Sequence, residues 1–246
     1  MSIGWATIVP GTEMPAGDGV TGAIRCILAS SGRSNFAAIV KRDAIQQVVA
    51  EAFCALLLRG WGAPVPDPYL VAEANNNVAF GSADATYPNL NQRLGIAGFA
   101  IGSAEHKAAL EIATRLASQL PSAPLVAAAD EAIDNRDRNL GNILWDGTNE
   151  AWIDHAFALG NGAQHLDDVN KLCQMAIYSG LSEEMRSAST AQWLLMDRDR
   201  PENAKKELDV FTDTSIQVRF VTDRLNQLGM RLLARFPTPQ DLLSGQ

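Results

Sequence analysis

The chain has 246 residues, 47% of them hydrophobic and 20% charged, enough to bury a full core as one large domain or two lobes. A net charge of -8 excludes bulk binding to nucleic acid or to an anionic membrane face, both of which need a basic surface, but it leaves room for a local basic pocket. The start lacks a secretory signal pattern and no apolar run is long enough to span a bilayer, so a cytoplasmic protein is expected.

Taken in order, the first feature is a glycine-rich stretch from Gly11 to Gly22, where Pro10 and Pro15 interrupt regular structure. Within it Gly17, Gly19 and Gly22 form G-x-G-x-x-G, a pattern shared by dinucleotide sites, phosphate-covering loops and plain flexible loops. Context separates these. A dinucleotide loop opens a helix, whereas here a strand-like run from Ala23 to Ala29 follows, then a polar turn, then a second strand from Phe36 to Val40 that ends on Lys41. A glycine loop between strands, followed by a lysine ending an apolar strand, is the order of a nucleotide clamp in which backbone amides cover phosphates and the lysine pairs with them.

Asp43 is the expected N-cap of the next helix and Gly60 its end. Ile45, Val48, Val49, Ala52, Phe53, Leu56 and Leu57 repeat at three and four as an amphipathic stripe. Glu51 lies at the edge of that stripe, an odd place for a charge unless Lys41 pairs with it. The turn WGAPVPDP leads into strands at Tyr69–Ala72 and Val78–Phe80, and the polar segment from Ser82 to Gln92 is the expected hinge to a helical second part. Helices are expected over Ala104 to Leu120, around Val169 to Ala176, and around Val218 to Leu232, whereas the charged stretch from Met196 to Lys206 reads as a solvated loop. Cys26, Cys54 and Cys173 sit in apolar surroundings and read as buried thiols, and His106, His155 and His165 have no zinc-ligand spacing.

The chemistry concentrates between Asp130 and Gly160, where acids, amides and arginines stand between short apolar runs. Ile143–Trp145 and Ala151–Ile153 flank Asp146–Glu150 as a hairpin. If Trp145 opposes Ala151, then Asn142 opposes Asp154, and their side chains converge about 5 Å apart, a spacing of oxygen donors that suits Mg²⁺. Asp137 lies five residues before Asn142. Asp-x-x-x-x-Asn, a strand pair and then Asp meets the needs of phosphoryl transfer: Asp137 orients the attacking hydroxyl, while Asn142 and Asp154 hold the metal that bridges nucleotide phosphates. A calcium loop does not fit, because Arg136 and Gly141 fall where oxygen ligands are required.

GDGVTGAI, AAIVK with Lys41, Glu51 in the following helix, WGAPVPDP, DEAIDNRDRNLGNILW and AWIDHAFALG together resemble the HipA-like kinases and, more distantly, the phosphatidylinositol kinases and protein kinases. The resemblance runs from about Gly11 to Gly160. It implies an α+β, two-lobed kinase-like fold with a strand-rich N-lobe over 1–87 and a helical C-lobe over 88–246, binding ATP and Mg²⁺. Lys41 would sit on the phosphates with Gly17, Gly19 and Gly22, Glu51 would position Lys41, Asp137 would be the catalytic base, and Asn142 and Asp154 the metal ligands. It further implies a serine/threonine protein substrate and, since many members are toxins of bacterial toxin–antitoxin pairs, an antitoxin or regulatory partner. Departures are equally visible: His155 and Ala156 follow Asp154 where protein kinases have Phe-Gly, and the glycine stretch offers Thr12 and Thr21 but no serine. A small-molecule or lipid kinase of the same fold and a silent nucleotide-binding scaffold are the alternatives.

Overall fold

The computed structural model describes residues 3–17 and 22–237. Its first part is a small barrel. β1 (Gly4–Ile8), β3 (Ile24–Ser30), β4 (Phe36–Lys41), β5 (Pro68–Ala72) and β6 (Val78–Ala83) are joined in the order β1-β5-β6-β4-β3, and β1 closes the ring by pairing with β3 as well. Ala6 does this at one point, facing Val71 across a parallel ladder and Ser30 across an antiparallel one. The two-residue β2 (Met14–Pro15) adds to the free edge of β3. β1 is not among the strands expected from sequence, because its five residues, GWATI, alternate only weakly.

Successive strand residues point to opposite faces, and the barrel interior takes every second one. Cys26 and Leu28 on β3, Ala38 and Val40 on β4, and Val71 and Ala79 fill a separate inner core together with Ala6 and Tyr69. Small side chains dominate because so narrow a barrel has little room inside. Since Val40 points inward, Lys41 must point out of the barrel, toward the helix that covers it.

That helix is α1 (Ile45–Trp61), and it is buried along its whole length from Val48 to Leu58, not on one stripe. It lies between β5 and β6 on one side and helices of the second part on the other, so both faces lose water. Its bounds differ from the expected ones. Ala44 is the N-cap, with the Gln47 side chain reaching back to the Ala44 N–H, and the helix runs past Gly60 to a C-cap at Gly62, whose φ of 96° favours glycine.

The second part is helical: α2 (Leu90–Arg93), α3 (Ala104–Gln119), α4 (Ala123–Ile133), α5 (Lys171–Tyr178), α6 (Ser182–Leu195), α7 (Arg200–Leu208) and α8 (Ser215–Ala234), with the β7 (Ile143–Trp145) and β8 (Glu150–Trp152) hairpin between α4 and α5. Within the expected hinge, Ser82 and Ala83 finish β6 and Leu90–Arg93 form α2. At the centre of this part, α4 packs on both α6 and α8 through Ala123, Ala127, Ala128, Ala129 and Ala132, small residues that let helix axes approach closely. The stretch expected to be a solvated loop contains α7. Pro201, Ala204 and Leu208, spaced at three and four, are buried on its inner side, and Arg200 donates to the Leu56 carbonyl of α1, 2.7 Å away. Dense charge on the outer face hid that stripe. Among the described residues no helix is long and apolar enough to cross a membrane.

Candidate active site

Lys41 leaves β4 on the outer face, and α1 brings Glu51 to meet it. Lys41 Nζ lies 2.5 Å from Glu51 Oε1 and 2.8 Å from Asp154 Oδ1. The second Glu51 oxygen accepts the backbone N–H of His155 at 2.8 Å, so the carboxylate ties β4 to the segment after the hairpin. Glu51 is only 1% exposed, and burial alone would raise its carboxyl pKa; the Lys41 charge and the His155 contacts overrule that and hold it well below the usual range. Burial likewise works against the charge on Lys41, but the Glu51 and Asp154 carboxylates win and raise its pKa above the ordinary lysine value.

A second buried pair shapes the loop that carries Asp137. Asp130, in the last turns of α4, accepts from Arg138 Nε at Oδ2 and from Nη2 at Oδ1, both at 2.9 Å, and neither side chain reaches solvent. Arg138 Nη1 donates onward to the carbonyls of Asn142, at 3.3 Å, and Ile153, at 2.7 Å. One guanidinium thus joins α4, the 134–142 loop and the residue before Asp154. Arg is suited to this, because its planar fork can satisfy a carboxylate and two carbonyls at once. Inside the loop, Asn135 Oδ1 accepts the Asp137 N–H and Asn142 Nδ2 donates to the Asp137 carbonyl at 2.9 Å. The Asp137 carboxylate remains partly exposed, with Lys171 Nζ from the first turn of α5 3.2 Å away.

The hairpin register differs from the expected one by one residue. Ile143 pairs with Trp152, Leu144 with Ala151 and Trp145 with Glu150. The cause is Asp146, whose Oδ1 accepts the N–H groups of Thr148 and Asn149 at 2.8 and 2.7 Å and closes the loop at four residues. Glu150 then joins the ladder, held from the other side by the Ser122 N–H at 2.8 Å. A one-residue slip exchanges faces along a strand, so Asn142 stands opposite Ile153, whose N–H it accepts at 3.2 Å, and not opposite Asp154. Asp154 lies one step past the ladder at φ 67°, a left-handed turn that aims its carboxylate at Lys41.

The sites expected from sequence are therefore grouped as follows. Lys41, Glu51 and Asp154 touch directly; Asp137 and Asn142 touch each other; Arg138 connects the two groups through Asn142 and Ile153. Gly17 and Gly22 have φ of 133° and 63°, and the Ala16 N–H donates to the Ala23 carbonyl, while Gly19 lies outside the described residues. Thr12 is committed to the fold, its hydroxyl donating to the Val9 carbonyl and accepting the Ile27 N–H; Thr21 lies outside the described residues.

Between barrel and hairpin runs a cleft of about 500 Å³, counting the part open to solvent. Ile39, Val65, Phe80, Leu144 and Ile153 give it apolar walls, and Lys41, Glu51 and Asp154 its polar end. That is the composition of a small-molecule site. At this end Asp154 offers a carboxylate, and in the Asp137 loop Asn142, whose nitrogen is already bound to the Asp137 carbonyl, offers an amide oxygen; both are hard oxygen donors of the kind a cation such as Mg²⁺ takes. Among the described residues no cluster of three His, Cys, Asp or Glu could hold a metal alone, so an ion here would complete its shell with other oxygens.

Asp130 and Lys171 are assigned no role from sequence, and Arg138 stands out there only as the arginine after Asp137, the lipid-kinase and HipA-like form. Asp130 did carry a signal, an acid inside the alanine-rich run of α4 eight residues before an arginine. Lys171 carried none, being thirty-four residues from its partner.

A closed barrel, a covering helix salt-bridged to it, and a helical part with the two acidic loops at the junction make this a protein kinase-like fold. The crystal structure of the proinflammatory kinase CtkA of Helicobacter pylori is similar over 93% of this chain and 96% of that one, with a TM-score of 0.54 and 14% identity. HipA of Shewanella oneidensis MR-1, solved in the toxin–antitoxin complex with HipB and operator DNA, is similar over 92% of this chain, with a TM-score of 0.53 and 14% identity; the match spans 66% of the HipA chain. No protein-family model and no curated protein matches the sequence.

Proposed function

We propose that the protein is an ATP- and Mg²⁺-dependent kinase that moves the γ-phosphoryl group to a hydroxyl, with lobes dividing near residue 87. The observation that carries this is the Lys41–Glu51–Asp154 contact at the polar end of an apolar cleft. The apolar walls would take the adenine, and Lys41, held charged by two carboxylates, would take phosphate oxygens, assisted by backbone amides of the Gly17, Gly19 and Gly22 motif. Asn142 and Asp154 would hold Mg²⁺, which neutralises charge on the phosphates. Asp137 would orient the acceptor hydroxyl and receive its proton as the acceptor oxygen bonds to the γ-phosphorus and the bond from that phosphorus to the bridging oxygen of ADP breaks. Lys171 would face the same oxygens. The resemblance of DNRDRNLGNIL and WIDH to the HipA-like kinases favours a serine or threonine of a protein as acceptor, and HipA, captured with HipB, gives the precedent for a regulatory protein partner.

The test is γ-labelled ATP and Mg²⁺ with a bacterial lysate, run beside Asp137→Asn. Label transfer to a protein that drops by about 10²–10⁴ in the variant, with ATP binding kept, is the expected result. ATP binding without transfer from the unaltered protein would point to a silent scaffold, and label only in a small product to a small-molecule kinase.

A further inference from the structure

A closed ring of ion pairs surrounds the base of the Asp137 loop. Arg136, directly before Asp137, contacts Asp134 at 3.2 Å; Asp134 contacts Arg224 at 3.2 Å; Arg224 contacts Glu131 at 3.2 Å; Glu131 contacts Arg235 at 2.8 Å; Arg235 contacts Asp168 at 2.6 Å; and Asp168 returns to Arg136 at 4.0 Å. The ring joins four pieces of chain: α4, the Asp137 loop, α8 with the residue after it, and the 155–170 segment between Asp154 and α5. Glu131 is buried, at 2% exposure, and its charge is compensated by Arg224, Arg235 and, from outside the ring at 3.8 Å, Arg231.

Asp168 is the ring's contribution from the 155–170 segment. There, two guanidiniums meet three oxygens: Arg235 takes Asp168 Oδ1 and the Asp168 carbonyl, each at 2.6 Å, and Arg136 takes the Leu166 carbonyl at 3.3 Å. One carboxylate oxygen and two backbone carbonyls thus hold the segment to two arginines, a fixed acidic contact where regulated segments of other proteins rely on an added phosphate. Three residues on, Lys171 reaches Asp137, and Asn170 caps α5 while its Nδ2 donates to the Ala127 carbonyl of α4 at 2.9 Å. Releasing Asp168 would remove its contact with Arg136 on one side of Asp137 and its anchor on Arg235, three residues before Lys171, on the other.

We propose that Asp168 is a positioning residue, a built-in carboxylate that holds the 155–170 segment and the Asp137 loop in working order through Arg136 and Arg235, so that no phosphorylation of the segment is needed. The consequence for turnover rests on the kinase reading above. The Arg235 hydrogen bond holds the Asp168 carboxyl below its ordinary range, as a standing charge requires. In this arrangement α8 governs the site, because a partner that displaced Arg235 would unlatch the segment.

The test compares the full chain with Asp168→Ala, Asp168→Glu and Arg235→Ala, measuring slow hydrolysis of MgATP, MgATP binding, and hydrogen exchange of the backbone. Asp168→Ala should lower hydrolysis tenfold or more, keep MgATP affinity within twofold, and speed exchange in 134–142 and 165–171 while leaving β4 and α1 unchanged; Asp168→Glu should restore part of the rate, and phosphatase treatment of the unaltered protein should change nothing. Unchanged hydrolysis and exchange in Asp168→Ala and Arg235→Ala would overturn the proposal. So would loss of hydrolysis on phosphatase treatment, or a parallel fall in MgATP binding with exchange rising everywhere, which marks a general brace. If the unaltered protein neither binds nor hydrolyses MgATP, the kinase reading fails, and the exchange comparison still decides whether Asp168 orders the loop.

Discussion

Lys171 Nζ stands 3.2 Å from Asp137 Oδ1, although the two residues belong to different segments and are thirty-four positions apart. If Asp137 receives the acceptor proton as proposed, a cation beside it would also be placed to meet negative charge on the transferring phosphoryl group. Lys171→Met should lower turnover by roughly 10², the scale seen when one preorganised electrostatic donor is removed. MgATP affinity should barely move, and Lys171→Arg should recover part of the rate. Steady-state kinetics with the acceptor identified from labelling checks this, and an unchanged turnover in Lys171→Met would reduce the contact to a surface ion pair.

Asp130 and Arg138 form the opposite kind of pair, fully buried and bidentate. Removing one partner leaves an uncompensated charge inside the protein, so Asp130→Ala should cost about 3–5 kcal/mol of stability. Denaturant unfolding measures it. Because Arg138 also holds Asn142 and Ile153, any folded variant should bind Mg²⁺ more weakly in titrations with ATP present.

Acid should act on the cleft through Glu51. Its folded-state pKa is lowered, against the pull of burial, by Lys41 and His155. The stability it contributes is therefore fully present above the unfolded glutamate value, about 4.3, and is lost as pH falls through the lower folded value. Lys41 is shifted upward, so its share is present below about 10.4 and fades only as pH rises through its higher folded value. Urea midpoints measured downward from neutral pH should fall more steeply for the unaltered protein than for Glu51→Gln. Parallel curves would show that the pair does not couple to folding.

Gly229 on α8 meets Trp193 of α6 so closely that a Cβ there would lie 2.4 Å from the indole ring. Gly229→Ala should force the two helices apart, costing about 1–3 kcal/mol. A shift in Trp fluorescence and a lower melting temperature are expected, with ATP affinity kept because no residue of α6 or α8 lines the cleft.

Much of the site was legible because its residues obey local rules. Lys41 follows an alternating strand, Glu51 sits in a helical apolar pattern, and Asp137 and Asn142 are five apart in a loop bounded by apolar runs. The hairpin was legible but its register was not, since the Asp146 side chain, rather than strand composition, sets the loop length. The α7 helix was misread because three apolar residues among many charges signal burial only once α1 is known to lie against them.

The sequence by itself determined the α+β division, the covering helix, and the lysine strand end and acid-bearing segments from which Lys41, Glu51 and Asp154 meet, because strand and helix periodicity and short-range spacing are local properties of the chain. Only the tertiary structure decided that β1 closes a barrel, that Asp154 rather than Asn142 meets Lys41, that Arg138 binds two loops to α4, and that Lys171 and Asp168 stand beside the Asp137 loop. Those are contacts between residues distant in sequence, and packing alone fixes which of many available charges come together.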